Sequence, residues 1–187
     1  MRMDRRSALL AMLSLPSLVR AQAQWTPPQW PDVTLQDQDG RSWRLASELA
    51  VALPVVVSFM FTSCAAACPP QTAALRELRR ALDAEAALRP VLLLSITVDP
   101  LADGPAQLSA YAQRYGIAAG REPGWLFLTG ERAALAKTWR AFGVDASTRE
   151  THPSLLWVAH AARQRWTRSS ALNTTPELLR AVREVVQ

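Results

Sequence analysis

Two cysteines, Cys64 and Cys68, are the residues of this 187-residue chain best suited to chemistry, and it contains no others. Residues four apart on a helical turn lie on the same face, so both sulfurs can reach one atom or each other. The pair therefore allows one soft metal ion, one disulfide or two buried thiols. A zinc site built from two CxxC pairs is excluded by the cysteine count. A structural disulfide is less favoured, because closing so short a loop constrains little unfolded-state entropy.

The sequence around the cysteines predicts a strand, a loop and a helix. Residues 55–61 (VVVSFMF) are β-branched or aromatic and uncharged, which is typical of a strand buried on both faces. Pro69 and Pro70 suit a first helical turn, and residues 71–88 continue with leucines on one helical stripe. A thiol at a helix N-terminus lies at the positive end of the helix dipole. We therefore expect a lowered pKa and an available thiolate.

Periodicity and turn residues predict a mixed α/β domain over the rest of the chain. The Asp39-Gly40 pair between apolar residues predicts a β-hairpin. The apolar run 91–98 follows the first helix closely enough to form a right-handed βαβ unit with strand 55–61. Further predicted elements are strands at 125–130, 154–160 and 164–167, helices at 104–115 and 131–142, and a terminal helix with Thr175 as N-cap and Pro176 as its first residue.

The first 23 residues predict a signal peptide. They have a basic start, an apolar core from Ala8 to Val19 and a small-x-small cleavage site at residues 21–23. The core is short for a bilayer, which needs about 20 apolar residues. The Arg5-Arg6 pair also fits a twin-arginine export signal. We expect a periplasmic protein, or alternatively one anchored in the membrane and facing the periplasm. Residues 24–31 are expected to form a proline-rich entry segment, and residues 32–187 one domain.

The amount and distribution of charge argue against nucleic-acid binding. Residues 1–23 contain four arginines and one aspartate, so their removal lowers the formal charge from +5 to +2. The remaining basic residues are scattered along predicted helices and form no stripe that would hold a phosphate backbone. The mature chain of about 164 residues suits a single domain with a full core. We expect it to be a monomer.

The order of elements, with a cysteine pair opening the helix after the first central strand, resembles the thioredoxin-like fold. Within that fold the chain is most similar to the Sco/SenC family, copper-binding proteins that help assemble the copper sites of cytochrome c oxidase. The resemblance implies an α/β domain with a central mixed sheet flanked by helices and an N-terminal β-hairpin extension. By motif it implies copper ligation by Cys64, Cys68 and His152. It rests on residues 61–69 (FTSCAAACP), 97–116 (TVDPLADGPAQLSAYAQRYG), 125–130 (WLFLTG) and 151–154 (THPS).

The chemistry of this ligand set also favours copper. Two thiolates and one imidazole suit Cu(I) and can also hold Cu(II), whereas a structural zinc site usually has a fourth ligand. Strand 154–159 is expected beside strand 55–61, which would place the loop carrying His152 opposite the cysteines. His160, at the far end of that strand, is expected to be an exposed residue. Asp99, at a strand end, is expected to form a turn and helix cap rather than part of the site.

The chain departs from the family pattern at three places. Alanines at 65–67 replace the usual proline after the first cysteine, residues 101–105 (LADGP) carry less charge than usual, and residues 160–163 (HAAR) replace an Asp-x-x-Gly turn. These changes leave the proposed ligands intact but bear on the partner. The expected partners are a copper-accepting oxidase subunit or another cuproprotein, a copper donor and a thiol reductase.

A thiol-disulfide oxidoreductase is the alternative from a different class. In that interpretation Cys64 attacks, Cys68 resolves and no metal is stored, and Pro153 would supply the cis-proline that thioredoxin-like enzymes place opposite their cysteines. The CxxxC spacing and the histidine favour the metal. A peroxidase is less favoured still, since Thr62 lies two residues before Cys64 rather than three.

Overall fold

A seven-stranded mixed sheet forms the centre of the protein in the computed structural model, which describes residues 28–148 and 154–187. The strand order is β2-β1-β5-β4-β3-β6-β7. β3, β4 and β5 are parallel to one another, and the other neighbours pair antiparallel. The strands are β1 (Thr34–Asp37), β2 (Ser42–Arg44), β3 (Val55–Met60), β4 (Leu92–Thr97), β5 (Trp125–Thr129), β6 (Leu155–His160) and β7 (Arg165–Ser170).

Four α-helices accompany the sheet. They are α1 (Cys68–Ala84), α2 (Pro105–Arg114), α3 (Arg132–Ala141) and α4 (Thr175–Val186), with a π-helical turn at Leu45–Ala50 and a 3-10 turn at Ala161–Arg163. This arrangement confirms the predicted α/β class, the β-hairpin β1–β2 and the βαβ unit of β3, α1 and β4. The hairpin extends the sheet by pairing β1 with β5. The predicted signal peptide, His152 and Pro153 lie outside the described residues.

The three parallel strands form the core. Every residue of β3, β4 and β5 is buried, as their continuous apolar sequences predict for strands covered on both faces. Ser58 and Ser95 are the polar residues facing each other across β3 and β4, and their hydroxyls form a hydrogen bond of 3.0 Å. Trp139 and Trp157 are buried in this core.

Local capping corrects the predicted start of the last helix. The N-cap is Thr174, not Thr175, because Thr174 and Glu177 form a capping box in which the Thr174 N–H donates to Glu177 Oε2 over 2.9 Å. Pro176 therefore occupies the second helical position. A similar correction applies to β7, which extends to Ser170 because it pairs with β6 along all six of its residues.

The turn between β6 and β7 corrects the expectation for His160. Its side chain is half-buried rather than exposed, because β7 folds back on β6 and pairs Arg165 with it. Partial burial and the positive charge of Arg163 lower the pKa of His160 below its ordinary value. Gln164 closes the turn in a left-handed conformation with φ of 52°, a region that favours glycine.

The first described residues pack beside the β6–β7 hairpin. Trp30 packs edge-on against Phe142, with ring centroids 5.1 Å apart. Pro28 is buried and borders two cavities of about 280 and 180 Å³ whose walls both include Trp166. Within residues 28–148 and 154–187, no helix combines the length and apolar character needed to cross a bilayer.

Candidate metal centre

The cysteine loop, residues 61–67, connects the end of β3 to the start of α1. Its first part is a turn in which the Cys64 N–H donates to the Phe61 carbonyl over 3.2 Å. Because β3 and β4 are parallel and β6 is antiparallel to them, the ends of β3 and β4 meet the start of β6 at one edge of the sheet. Ligands of open α/β sheets bind at the carboxyl ends of the parallel strands, so this edge is where a binding site is expected.

The two cysteines lie together at the N-terminus of α1. Cys68 is the first residue of the helix, and its backbone N–H donates to Cys64 Sγ over 3.2 Å. The Cys64 sulfur thus accepts one of the N–H groups that have no partner within a helix, as a capping side chain does. Both are free thiols, Cys64 half-buried and Cys68 fully buried. The predicted strand, loop and helix around them are confirmed.

The two sulfurs differ in acidity. Partial burial acts to raise the pKa of Cys64, but hydrogen bonds from the Cys68 thiol and from backbone N–H groups of residues 66–68 outweigh it and lower the pKa. Burial, the hydrogen bond with the Cys64 side chain and the charges of Cys64 and Asp103 raise the pKa of Cys68 to about 12. The expectation of a lowered pKa is confirmed for Cys64 and wrong for Cys68, where burial outweighs the helix N-terminus. Cys64 is therefore the more acidic of the two thiols and the first to lose its proton as the pH rises.

This asymmetry predicts selective alkylation of the reduced, metal-free protein. At pH 7.5 iodoacetamide will modify Cys64 faster than Cys68 by about tenfold or more, because the thiolate is the reacting form and Cys68 is also inaccessible. As the pH rises to 9, the Cys64 rate will level off above its lowered pKa while the Cys68 rate keeps rising. Timed quenching and peptide mass spectrometry measure both rates. Equal rates at pH 7.5 would contradict the assignment.

Asp103 is a residue of the site region that the sequence analysis did not single out. Its buried carboxylate accepts hydrogen bonds from the Thr62 N–H (3.0 Å), the Thr62 hydroxyl (2.5 Å) and the Thr97 hydroxyl (2.6 Å). Asp99 makes the expected turn, since its carbonyl accepts the N–H groups of residues 102 and 103. It is not the helix cap that was also expected, because the N-cap of α2 is Gly104. The available sequence signal was that Asp103 is the acidic residue directly before the Gly-Pro start of α2.

The described part of the chain contains two of the three predicted ligands. Among those residues, no group of three or more His, Cys, Asp or Glu side chains is placed to hold a metal ion. His152 lies outside them. The register nevertheless pairs Val57 with Trp157, so β6 begins at the edge of the sheet where β3 ends and the cysteine loop starts. The predicted neighbour relation of β3 and β6 is confirmed.

Comparison with known proteins decides the family. The SCO1/SenC family model matches residues 27–185. The chain belongs to the SCO1/SenC family. A SCO1 protein homolog of Bacillus subtilis (strain 168) is 37% identical over 97 residues, covering 52% of this chain and 47% of the relative. The mitochondrial SCO2 homolog of Bos taurus is 37% identical over 90 residues, covering 48% and 32%. The chain thus spans half or less of the curated relatives it matches.

Solved structures of Sco proteins share this fold. BsSco, described as a member of the Sco family of cytochrome c oxidase assembly proteins with a disulfide switch, is 25% identical with a TM-score of 0.70, covering 84% of this chain and 92% of BsSco. A SCO1/SenC family lipoprotein from Bacillus anthracis is 23% identical with a TM-score of 0.72, covering 86% and 96%. Copper-bound ScoI of Bradyrhizobium japonicum is 23% identical with a TM-score of 0.63, covering 80% and 94%. The Sco fold of this chain, and the resemblance seen in its sequence, are thereby confirmed.

Proposed function

We propose that this Sco/SenC protein is a copper chaperone. It binds one copper ion through Cys64, Cys68 and His152 and delivers it to a cytochrome c oxidase copper site, or to a similar acceptor outside the cytoplasm. The observation that carries the proposal is the cysteine pair at the start of α1, joined by the 3.2 Å hydrogen bond from the Cys68 N–H to Cys64 Sγ. The copper-bound structures of plant and bacterial relatives support it.

The donor set fits copper as a cargo. Two sulfurs and one imidazole are ligands that Cu(I) accepts readily, and the same set can hold Cu(II). The helix N-terminus stabilises negative charge on the sulfurs. Cys64 is half-buried and Cys68 fully buried, so an incoming ligand from an acceptor would reach the copper from the Cys64 side. Transfer by ligand exchange would then begin with release of Cys64.

We place the protein in the periplasm because residues 1–23 have the features of a signal peptide. A membrane-anchored protein that faces the periplasm is the alternative. In an oxidising compartment the cysteines must be kept reduced, which requires a thiol reductase as partner. A copper donor and a copper-accepting oxidase subunit or other cuproprotein complete the proposed partners. We propose a monomer that does not bind nucleic acid.

The unequal acidities favour a second candidate, a thiol-disulfide oxidoreductase. The lowered pKa of Cys64 and the raised pKa of the buried Cys68 suit an attacking and a resolving cysteine, respectively. This activity needs neither His152 nor a metal. The two candidates therefore differ in what they require of the histidine.

Substitution of the two histidines separates the candidates. We expect reduced wild-type protein to bind one Cu(I) per chain, and His152→Ala to lower the affinity by about tenfold or more, because one of three ligands is lost. His160→Ala is the matched control, since it removes the other histidine at the opposite end of β6. Competition with a chromophoric Cu(I) chelator measures stoichiometry and affinity. Binding that is weak, or indifferent to His152, would refute the chaperone and favour disulfide exchange.

A further inference from the structure

The carboxylate of Asp103 is buried and accepts hydrogen bonds from the cysteine loop and from the neighbouring strand β4. It is 0% exposed, and its two oxygens accept two hydrogen bonds from Thr62 and one from Thr97. A carboxylate removed from water is tolerated only where donors replace the lost solvent. The fold therefore keeps this carboxylate in one position, and the carboxylate in turn keeps its donors in place.

The two bonds from Thr62 act on the turn that carries Cys64. Thr62 is the second residue of the turn closed by the bond from the Cys64 N–H to the Phe61 carbonyl. Both its N–H and its hydroxyl are held by Asp103, at 3.0 and 2.5 Å. The N–H of Phe61, the first residue of the same turn, hydrogen-bonds the Cys68 sulfur. The turn thus contacts both cysteines.

The residues between the cysteines contribute little to rigidity. Residues 65–67 are three exposed alanines, where the family usually places a proline after the first cysteine. Methyl side chains at exposed positions neither pack nor hydrogen-bond. Apart from the backbone N–H groups of residues 66 and 67 that bond the Cys64 sulfur, the loop is held from its two ends, by α1 on the Cys68 side and by Asp103 on the Thr62 side.

We infer that Asp103 is a positioning residue for the cysteine pair: acting through Thr62, it fixes turn 61–64 and holds the two sulfurs at the separation that a single copper ion requires. It binds the loop and does not touch the metal. The inference rests on the proposed copper site, but its effect on the thiols exists without copper. Outer residues that orient metal ligands typically contribute ten- to hundredfold to affinity.

Thr97 provides a matched control for a purely structural role. Its hydroxyl donates to the same carboxylate from β4 over 2.6 Å and accepts the Asp99 N–H over 2.9 Å, so Thr97→Val removes buried hydrogen bonds without touching the cysteine loop. Thr62→Val removes the hydroxyl bond on the loop side only. Both are nearly isosteric changes, and both leave the proposed ligands in place.

The test compares Asp103→Ala, Thr62→Val, the double variant and Thr97→Val by Cu(I) affinity and thermal unfolding. We expect about a tenfold loss of affinity in Asp103→Ala, a several-fold loss in Thr62→Val, and a double variant no weaker than Asp103→Ala. Thr97→Val will lower the melting temperature but change affinity by less than about twofold. Loss of affinity in Thr97→Val equal to that in Thr62→Val would overturn the inference, as would unchanged affinity in Thr62→Val. If Asp103→Ala fails to fold, the Thr62 and Thr97 pair still decides.

A second readout keeps this inference separate from the proposed function. In metal-free protein at pH 7.5, the ratio of Cys64 to Cys68 alkylation will fall several-fold in Thr62→Val and stay at the wild-type value in Thr97→Val, because a loosened turn no longer holds Cys64 against the helix N-terminus. If wild-type protein binds no copper but these ratios behave as expected, the proposed function fails and the positioning role stands. If copper binds but the ratios do not change, the reverse holds.

Discussion

Cys64→Ala and Cys68→Ala will each abolish tight Cu(I) binding, with affinity falling on the order of a thousandfold if each sulfur supplies about 4 of ~12 kcal/mol of binding free energy. The loss exceeds that expected for the histidine because Cu(I) is a soft ion that binds thiolate more strongly than imidazole. This is the largest effect expected from any substitution in the chain. The reason is that the remaining sulfur and imidazole make a two-ligand site at the edge of a sheet. Competition with a chromophoric Cu(I) chelator, with the reduced proteins handled anaerobically, measures it.

Ser63→Ala is the matched control for these variants. Ser63 is exposed, lies in the same loop and neighbours Cys64, so its loss tests the loop without the sulfur. We expect it to bind copper as wild type does. Melting temperatures should accompany the affinities, because Cys68 is fully buried in the core and its truncation leaves a small cavity. A cysteine variant that retains wild-type affinity would remove that cysteine from the ligand set.

The second large effect concerns stability. Gly124→Ala will lower the free energy of unfolding by about 3 kcal/mol, combining the cost of a left-handed alanine with the loss of a hydrogen bond to a charged group. Gly124 has a φ of +79°, and an added Cβ would lie 2.7 Å from Nη1 of Arg79. That guanidinium is buried, with Nη1 donating to the Val91 carbonyl over 2.5 Å, so it cannot swing into solvent. Urea unfolding measures the change.

Gly143→Ala separates the two contributions. Gly143 has a similar φ of +65°, but an added Cβ would meet no atom within 4 Å. It should lose only the backbone part, about 1 to 2 kcal/mol. Equal losses at the two glycines would show that Arg79 yields to the methyl group at no cost.

The elements of the fold were predictable wherever one physical signal dominated. The uncharged run at 55–61 predicted β3 because a strand covered on both faces has no need of polar residues, and every residue of β3 is buried. Thr175 was the wrong cap because two adjacent threonines both suit an N-cap, and only the reciprocal bonds between Thr174 and Glu177 select one. His160 was expected to be exposed because burial by a neighbouring strand depends on how β7 folds back, which local sequence does not specify.

The site was predictable in part. Cysteine spacing and the helix start located the two sulfurs, since both are local properties of the chain. The lowered pKa of Cys64 followed from the helix start, but the raised pKa of Cys68 did not, because it depends on the depth of Cys68 in the folded core and on Asp103, 35 residues away. Asp103 itself was missed for the same reason: its partner Thr62 lies 41 residues earlier, and only the pairing of β3 with β4 brings the two together.

Pro28 lines two cavities together with Trp166, which places the first described residue beside the β6–β7 hairpin. Trp166 pairs with Ala159 near the end of β6 that is remote from the cysteine loop. A six-residue strand spans about 20 Å, so Trp166 lies most of a strand length away from the end of the sheet where the cysteine loop begins. Pro28 and the cysteine loop therefore mark opposite ends of β6, so a label attached near Pro28 would leave the end of the sheet that carries the sulfurs uncovered.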